Sequence, residues 1–190
     1  FYKFTVNDKG AIRFGMGAVK GVGRAAVETI VAHRQEKPYE SIFDLTQRID
    51  LRAANKKSFE SLILAGGLDS LSDAHRSQYF HHNGDGVTFV EKALKYGAQH
   101  QENEQSSQVS LFGADAAVTI ATPELPICEP WTALKELKQE KEVVGIYISA
   151  HPLDDFAPAM KHFCNAKLGV FNDMDALVNK ELSFGGMVGA

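Results

Sequence analysis

The chain has 190 residues, of which 44% are hydrophobic and 23% are charged, a composition typical of globular proteins. No apolar run approaches the roughly 20 residues that cross a bilayer, and no secretory signal is visible. The net charge of −4 disfavours a uniformly basic surface that binds nucleic acid. However, residues 1–60 contain 11 Lys and Arg against 7 Asp and Glu, so a local basic face can still form there.

The ends of the chain and its cysteines bear on two questions, whether it is part of a longer protein and whether its thiols are free. The chain begins at Phe1 rather than Met and ends within the apolar run 187–190, which predicts a segment of a longer protein. Cys128 and Cys164 lack the short Cys and His spacings of metal sites. We therefore expect no metal site, and buried or half-buried free thiols in a reducing cytoplasm.

The first 35 residues predict a short β-hairpin followed by a helix. Apolar residues alternate over 1–14 around the turn sequence Asn-Asp-Lys-Gly at 7–10, as two paired strands require. Residues 15–35 have helical periodicity with a glycine-rich break inside. After the break one helical face is apolar, and it consists of Val22, Ala26, Val27, Ile30 and Val31.

Capping and stop signals predict four more helices before residue 99. Ser41 begins the second helix, with Asp44 in the first turn, where an acid is favourable. The third covers 55–65 and stops at two glycines. Its apolar face consists of Phe59, Leu62 and Ile63. Residues 71–82 and 87–98 predict the remaining two.

Beyond residue 98 the pattern changes. Residues 99–126 are polar and without periodicity, which predicts a mobile linker, interrupted by a small apolar island at 109–112. Helical periodicity resumes at Trp131, whereas propensity alone predicts a strand at 143–149. Residues 182–190 predict the first strand of a further domain.

The strongest motif is Val-Lys-Gly-Val-Gly-Arg-Ala-Ala at 19–26, a helix-hairpin-helix pattern. Its two glycines, Gly21 and Gly23, allow a tight hairpin whose backbone N–H groups approach an anion closely. The following helix adds unpaired N–H groups and the positive end of its dipole. Lys20 and Arg24 flank the hairpin, which is therefore suited to a DNA phosphate and does not read base sequence.

Alternatives remain for this motif and for its second copy. The glycines are also consistent with a simple tight turn, whereas a dinucleotide-binding loop fits poorly because a third glycine and a leading strand are missing. The helix at 55–65 and the hairpin at 66–69 form a degenerate second copy. Asp69 would repel phosphate there, so we expect a mainly structural role. Lys56 and Lys57 face either DNA or solvent.

Other polar and aromatic residues are weaker candidates. His81 and His82 are adjacent on a predicted helix and point apart, which favours a surface or capping role over a metal site. Trp131 begins an apolar helical face, which favours a core position over stacking on a base. The acidic residues of the last third form no recognisable acid–base pair, and we expect a solvated face. They are Glu140, Glu142, Asp154 and Asp155.

Six blocks of the sequence form a recognisable series. They are residues 12–23, 41–45, 55–57, 65–71, 110–113 and 140–153. These blocks resemble the C-family of bacterial replicative DNA polymerases, the polymerase III alpha subunits. They occur in the family's order and cover almost the whole chain. One departure is Ala150, where the family usually has Gly.

The resemblance implies a mainly α fold, with a tandem helix-hairpin-helix domain, a short N-terminal β-hairpin, a linker, a helical extension and the truncated start of an OB-fold. It also implies a helix at 143–149 in place of the strand. The implied domains are the hairpin 1–14 from the fingers region, the tandem DNA-binding domain 15–98, the linker 99–126, the helical extension 127–180 and the OB-fold start 181–190.

The resemblance further implies two partners, double-stranded DNA and the bacterial sliding clamp (the beta subunit), besides other holoenzyme subunits bound through the parent chain. The DNA-binding residues would be Lys20, Gly21, Val22, Gly23, Arg24, Lys56 and Lys57. Bacterial clamp-binding peptides carry Gln first and then Leu-Phe, which maps the contact onto Gln108, Val109, Ser110, Leu111 and Phe112. Two adjacent apolar groups in a polar linker bury either in a partner's pocket or against the chain's own helices.

The parent reaction would be template-directed nucleotidyl transfer with Mg²⁺. The family's metal-binding aspartates lie in the palm, outside this chain, so no catalytic residue and no metal ligand are assigned here. Two rival functions are the helix-hairpin-helix module of a repair nuclease and a protein-interaction module without DNA affinity. The block at 140–153 argues against the nuclease, since such a module has no reason to carry it.

Overall fold

The computed structural model describes residues 1–109, 120–172 and 174–188. The chain forms two compact units, Phe1–Ile146 and Tyr147–Ala190, and it is mainly α-helical, as predicted. In the described ranges, no helix combines the length and the apolar character that a membrane span needs.

The first unit begins with the predicted β-hairpin. Strands β1 (Thr5–Val6) and β2 (Ile12–Arg13) pair in antiparallel register. The side chain of Asn7 shapes the turn, because its Oδ1 atom accepts the N–H groups of Lys9 at 3.0 Å and Ala11 at 2.9 Å. The turn chemistry that the sequence predicted is thus confirmed.

The remaining regular elements of the described residues are helices, apart from an isolated bridge between His82 and Thr88. A 3₁₀ turn at Met16–Ala18 follows the hairpin. The helices of the first unit are α1 (Arg24–Glu36), α2 (Ile42–Arg48), α3 (Lys56–Leu64), α4 (Arg76–Phe80), α5 (Phe89–Val109) and α6 (Ala133–Val144). The second unit contains α7 (Ala157–Phe163) and 3₁₀ turns at Asp154–Phe156, Leu168–Asn172 and Asp175–Leu177.

Polar side chains cap α2 and α3. Ser41 Oγ accepts the N–H of Asp44 at 3.1 Å, which confirms the predicted start of α2. Asn55 Oδ1 accepts the N–H of Ser58 at 3.1 Å. Each bond satisfies an N–H group that has no acceptor within its helix and contributes about 1 kcal/mol. After α3, Gly66 has a φ of +76°, so the predicted glycine stop is also confirmed.

The hydrophobic core of the first unit lies between α1, α2, α3 and α5. The predicted apolar faces of α1 and α3 are buried in it, with Val31 at its edge. Burying one such side chain contributes roughly 1.5–3 kcal/mol, so these contacts hold the helices together. The largest fully buried apolar side chains are those of Val27, Leu45, Ile49, Phe59, Ile63 and Val90.

Helices α2 and α5 pack closely because Gly97 has no side chain. A Cβ atom at Gly97 would lie 2.6 Å from the backbone oxygen of Thr46. One turn later, the amide nitrogen of Gln101 lies within hydrogen-bond distance of three carbonyls at the end of α2, those of Thr46 (3.0 Å), Gln47 (3.1 Å) and Ile49 (2.9 Å), which share its two N–H donors. At a helix end such carbonyls receive no hydrogen bond from N–H groups of the helix itself, so α5 both packs against α2 and caps it.

The predicted linker begins later than the sequence indicated. Helix α5 extends to Val109, so residues 99–109 are the second half of a helix and the linker prediction is wrong for them. Gln and Glu favour helices almost as much as Leu does. Much of this half is exposed and therefore needs few apolar residues, which explains the missing periodicity.

Other boundaries also differ from the predictions. Helix α4 covers only part of 71–82 and starts at Arg76, where Gln78 Oε1 accepts the N–H of the N-cap residue His75 at 3.1 Å. Helix α6 ends at Val144, where Gly145 takes a φ of +89°, so residues 145–149 are neither helix nor strand. Residues 181–188 form no strand, and the start of an OB-fold stays a prediction.

Candidate nucleic-acid interface

The glycine hairpin at 19–23 joins the 3₁₀ turn to α1. The N–H of Val22 donates to the carbonyl of Val19 at 3.1 Å, and both side chains are buried in the core. Gly21 lies between them with a φ of +82°, and a Cβ atom there would lie 3.0 Å from Ser61 Oγ. The hairpin therefore requires glycine at position 21, for its backbone conformation and for its contact with α3.

Gly23 differs from Gly21, because the fold does not require glycine there. It is the N-cap of α1, with a φ of −76° and a ψ of 161°, which any residue adopts. A Cβ atom would meet no protein atom within 4 Å, and no side chain caps the helix. The first N–H groups of a helix lack acceptors within it, and the dipole is positive at this end. Gly23 thus lies beside a site that favours an anion.

Helix α3, from the second half of the domain, completes this side of the hairpin. Ser58 Oγ donates to the carbonyl of Gly21 at 3.1 Å. The aliphatic chain of Lys57 runs beside Gly21, since a Cβ atom there would lie 3.2 Å from Lys57 Cγ and 3.5 Å from Lys57 Cε. The structure therefore brings Lys57 to the hairpin, although the two are distant in the sequence.

Acidic partners compensate the charges of Lys56 and Arg24. Lys56 Nζ lies 2.7 Å from Glu91 Oε1. This hydrogen bond raises the pKa of Lys56 and, with bonds from Thr88, lowers the pKa of Glu91 to about 2. Arg24 Nε lies 2.8 Å from Glu28 Oε1, and that hydrogen bond raises the pKa of Arg24. Their attraction for phosphate is correspondingly reduced.

Lys20 and Lys57 keep their charges more available. Both side chains are exposed. In the part of the chain that the structure describes, neither forms an ion pair within 4 Å. Of the four predicted basic contacts, these two are therefore the best placed to pair with an incoming phosphate.

The second hairpin, at 66–69, encloses polar groups of its own chain. Gly66 is in the left-handed region, as Gly21 is in the first hairpin. The guanidinium of Arg76 lies beside it, with Nη2 2.6 Å from Asp69 Oδ2 and Nη1 3.2 Å from the carbonyl of Leu64. This hairpin is therefore held by an internal ion pair, which supports the structural role expected for the second copy.

The guanidinium of Arg76 also binds α6. Its Nε atom lies 3.3 Å from Glu136 Oε1, and its Nη1 atom lies 3.5 Å from Glu140 Oε2. Burial acts to lower the pKa of Arg76, but the hydrogen bond to Asp69 and the three carboxylate charges outweigh it and raise that pKa. Glu140 is only 1% exposed, so the prediction that it belongs to a solvated face is wrong.

The spacing of acidic and apolar residues on α6 is a sequence signal for this buried cluster, and the prediction of a solvated face did not use it. Glu136 and Glu140 are four residues apart on α6 and therefore share one face of the helix. Leu137 and Val143 are buried on the same helix. An acid among apolar neighbours at helical spacing indicates a buried ion pair when a basic partner is available. The partner, Arg76, is distant in the sequence, so spacing alone does not identify it.

The other aromatic and thiol candidates lie where they were predicted. Trp131 stacks on Phe80 with ring centroids 5.5 Å apart, and Lys135 Nζ lies 4.9 Å from the centre of its ring. Trp131 is thus a packing contact at the core. Cys128 and Cys164 are free and half-buried.

The histidine pair and the remaining acids add no site. The rings of His81 and His82 are 6.4 Å apart. Glu142, Asp154 and Asp155 are exposed, as predicted. Across residues 1–109, 120–172 and 174–188, no group of three or more His, Cys, Asp or Glu residues is arranged to hold a metal ion.

The predicted clamp contact begins in the last turn of α5. Gln108 and Val109 belong to that turn. Ser110, Leu111 and Phe112 lie outside the described residues. The assignment of this contact therefore rests on the sequence.

Known proteins resemble this chain in the hairpin region and well beyond it. Residues 1–79 match the family described as the helix-hairpin-helix motif. DNA polymerase III subunit alpha of Vibrio cholerae is 34% identical over 170 residues, 88% of this chain. The same subunit of Haemophilus influenzae is 34% identical over 172 residues, 88% of this chain, and that of Escherichia coli K12 is 33% identical over 168 residues, 85% of it.

The chain spans only 13–14% of the length of these three relatives. The helix-hairpin-helix match at 1–79 covers both glycine hairpins, and the alignments with these relatives are more than twice as long as that match. By its sequence, the chain is homologous over most of its length to a segment of the bacterial DNA polymerase III alpha subunits.

Proposed function

We propose that this chain binds the backbone of duplex DNA through the hairpin at 19–23, irrespective of base sequence, as a segment of a DNA-directed DNA polymerase. The observation that carries the proposal is the helix N-terminus at Gly23, which is open to an anion and lies on the same hairpin as Lys20. Lys57 of α3 lies beside Gly21 of that hairpin. Backbone N–H donors and a positive helix end together suit a phosphate. Such contacts hold the duplex without reading its bases.

Binding by this segment is expected to be weak and sensitive to salt. Non-specific affinities are typically on the order of 10⁻⁴–10⁻⁶ M at physiological salt. The chain has a net charge of −4 and one open hairpin, so we expect the weak end of that range or below it. Weak contacts let the duplex slide past the protein, as a polymerase that advances along its template requires.

A second partner would provide the stable attachment. We assign residues 108–112 to the bacterial sliding clamp, with Leu111 and Phe112 as the anchors. A ring that encircles the duplex raises the local concentration of DNA without any new DNA contact. Nucleotidyl transfer with Mg²⁺, and contacts with other holoenzyme subunits, belong in this proposal to the rest of the polymerase. We therefore expect no primer extension by the 190-residue chain itself.

Different observations distinguish the proposed function from each of its two rivals. A helix-hairpin-helix module of a repair nuclease would share the hairpin region, but the alignments with polymerase subunits cover 85–88% of the chain, which favours the polymerase. A protein-interaction module without DNA affinity makes the opposite prediction in a binding assay with random duplex at low salt.

We expect Lys57→Ala to weaken duplex binding more than Lys56→Ala does. Lys57 lies beside Gly21, whereas Lys56 is bonded to Glu91. Loss of one phosphate contact should also reduce the slope of log K against log salt by about 0.9. Fluorescence anisotropy of a labelled random duplex, titrated with each variant at several salt concentrations, measures both quantities. Equal effects of the two substitutions would contradict the assignment of Lys57, and an absence of binding at low salt would contradict DNA binding altogether.

A further inference from the structure

A buried charge cluster holds the first two turns of helix α6. Arg76 contacts Glu136 and Glu140 of α6 and also Asp69 of the second hairpin. Arg76 is 7% exposed and Glu140 is 1% exposed, so solvent screens their interaction little. A buried charge network of this kind has few alternative arrangements, because each displaced partner would leave a charge in a poorly solvated place.

The C-terminal end of α6 contacts the first hairpin. The carbonyl of Val143 accepts the N–H of Lys20 at 2.8 Å, and Val143 itself is buried. Val143 lies in the last turn of α6, where carbonyls have no N–H partner within the helix. This hydrogen bond therefore satisfies a free carbonyl and holds the backbone of Lys20, next to Gly21.

We propose that α6 is a strut between the two hairpins, and that Arg76 and Glu140 are positioning residues for the DNA-binding one. Arg76 fixes Glu140, which lies one turn before Val143, and the carbonyl of Val143 fixes the backbone at Lys20. The N–H groups that meet phosphate depend on this placement, because hydrogen bonds weaken steeply as their angles depart from linearity. The inference rests on the proposed function and adds to it a role for the second hairpin, which holds the strut instead of DNA.

The first test is hydrogen exchange at single amides of the 190-residue chain, measured by NMR without DNA. Glu140→Gln keeps the size of the side chain and removes its charge. We expect faster exchange of the Lys20 amide and unchanged exchange of the Ile49 amide, which is bonded within α2. Glu142→Gln, an exposed position on the same helix, is the matched control and should change neither. Equal acceleration of both amides in Glu140→Gln would indicate general destabilisation and overturn the inference.

The second test is duplex affinity at low salt. Glu140→Gln should weaken binding by about twofold to tenfold, the range that corresponds to the net value of one hydrogen bond. Because the strut acts through the hairpin, the loss should not add to that of Gly23→Ala in a double variant. Full additivity, or no loss in Glu140→Gln, would overturn the inference.

Different results would contradict DNA binding by the hairpin and the role of α6 as a strut. If Gly23→Ala and Lys57→Ala leave duplex binding unchanged, the proposed function is wrong, whereas the exchange of the Lys20 amide still tests the strut. If those two variants weaken binding and Glu140→Gln does not, only the strut is wrong. Should Glu140→Gln fail to fold, Glu136→Gln removes the more exposed carboxylate of the same cluster. It should give the same two changes at smaller size, and their absence would overturn the strut equally.

Discussion

Replacing Leu111 and Phe112 together by alanine is expected to weaken binding to the sliding clamp at least about a hundredfold. Burying each of these side chains contributes roughly 1.5–3 kcal/mol, and 1.4 kcal/mol corresponds to a tenfold change in affinity. The neighbouring residues of the segment are polar or small and cannot replace this apolar area. Calorimetric titration of the clamp with the parent chain and with the double variant measures the loss.

A matched control separates the motif from general hydrophobic contact. Leu125 and Ile127 are two apolar residues that are exposed in the structure, and their double alanine variant should bind the clamp as the parent does. If the Leu111→Ala/Phe112→Ala variant also binds as the parent does, the motif is assigned wrongly. Those side chains would then belong to the chain's own core.

The end of α5 affects the strength of this interaction. We expect the clamp segment to bind in extended form, but residues 105–109 are helical in this structure. Unwinding and ordering such a segment offsets part of the gain from burial. We therefore expect a micromolar dissociation constant, equivalent to about −8 kcal/mol, rather than a tighter one. The amide of Gln108 can both donate and accept hydrogen bonds to orient the bound segment.

Arg76→Ala is expected to lower the free energy of unfolding by about 3–5 kcal/mol, as removal of one member of a buried ion pair does. The substitution leaves the carboxylates of Asp69, Glu136 and Glu140 near one another without the guanidinium that they share. It also removes the donor to the carbonyl of Leu64. Urea denaturation followed by circular dichroism measures the change.

Arg34→Ala provides the control for loss of an arginine. Arg34 is exposed on α1, and surface substitutions usually change stability by no more than about 0.5 kcal/mol. A loss below about 1 kcal/mol for Arg76→Ala would show that the cluster contributes little. Its role as the fixed end of α6 would then be untenable.

Local signals in the sequence predicted much of the fold. The Ser41 cap, the turn at Asn7 and the glycine stop after α3 each depend on residues within a few positions of one another, and local chemistry determines them. The apolar faces of α1 and α3 follow from helical period alone. The polar half of α5 was missed because it rests on α2 through Gln101 rather than through apolar contacts.

The candidate site was predicted less completely, because its charges depend on tertiary contacts. Lys56 and Lys57 are equivalent in the sequence, yet only Lys56 is bonded to Glu91 while Lys57 lies beside Gly21. No spacing rule predicts which of the two lysines pairs with an acid, since this depends on how α3 packs between α5 and the hairpin. The role of Glu140 was missed for the same reason, because its partner Arg76 lies on another helix.

The most direct test of DNA binding by the first hairpin is the duplex affinity of Gly23→Ala at low salt. The backbone there is extended and a Cβ atom meets no protein atom, so the free energy of unfolding should fall by less than about 1 kcal/mol. The methyl group would, however, occupy the space of the phosphate, and loss of one charged hydrogen bond lowers affinity about tenfold or more. A folded Gly23→Ala chain that binds duplex about tenfold more weakly is the expected result. A folded variant that binds as tightly as the parent would contradict the account.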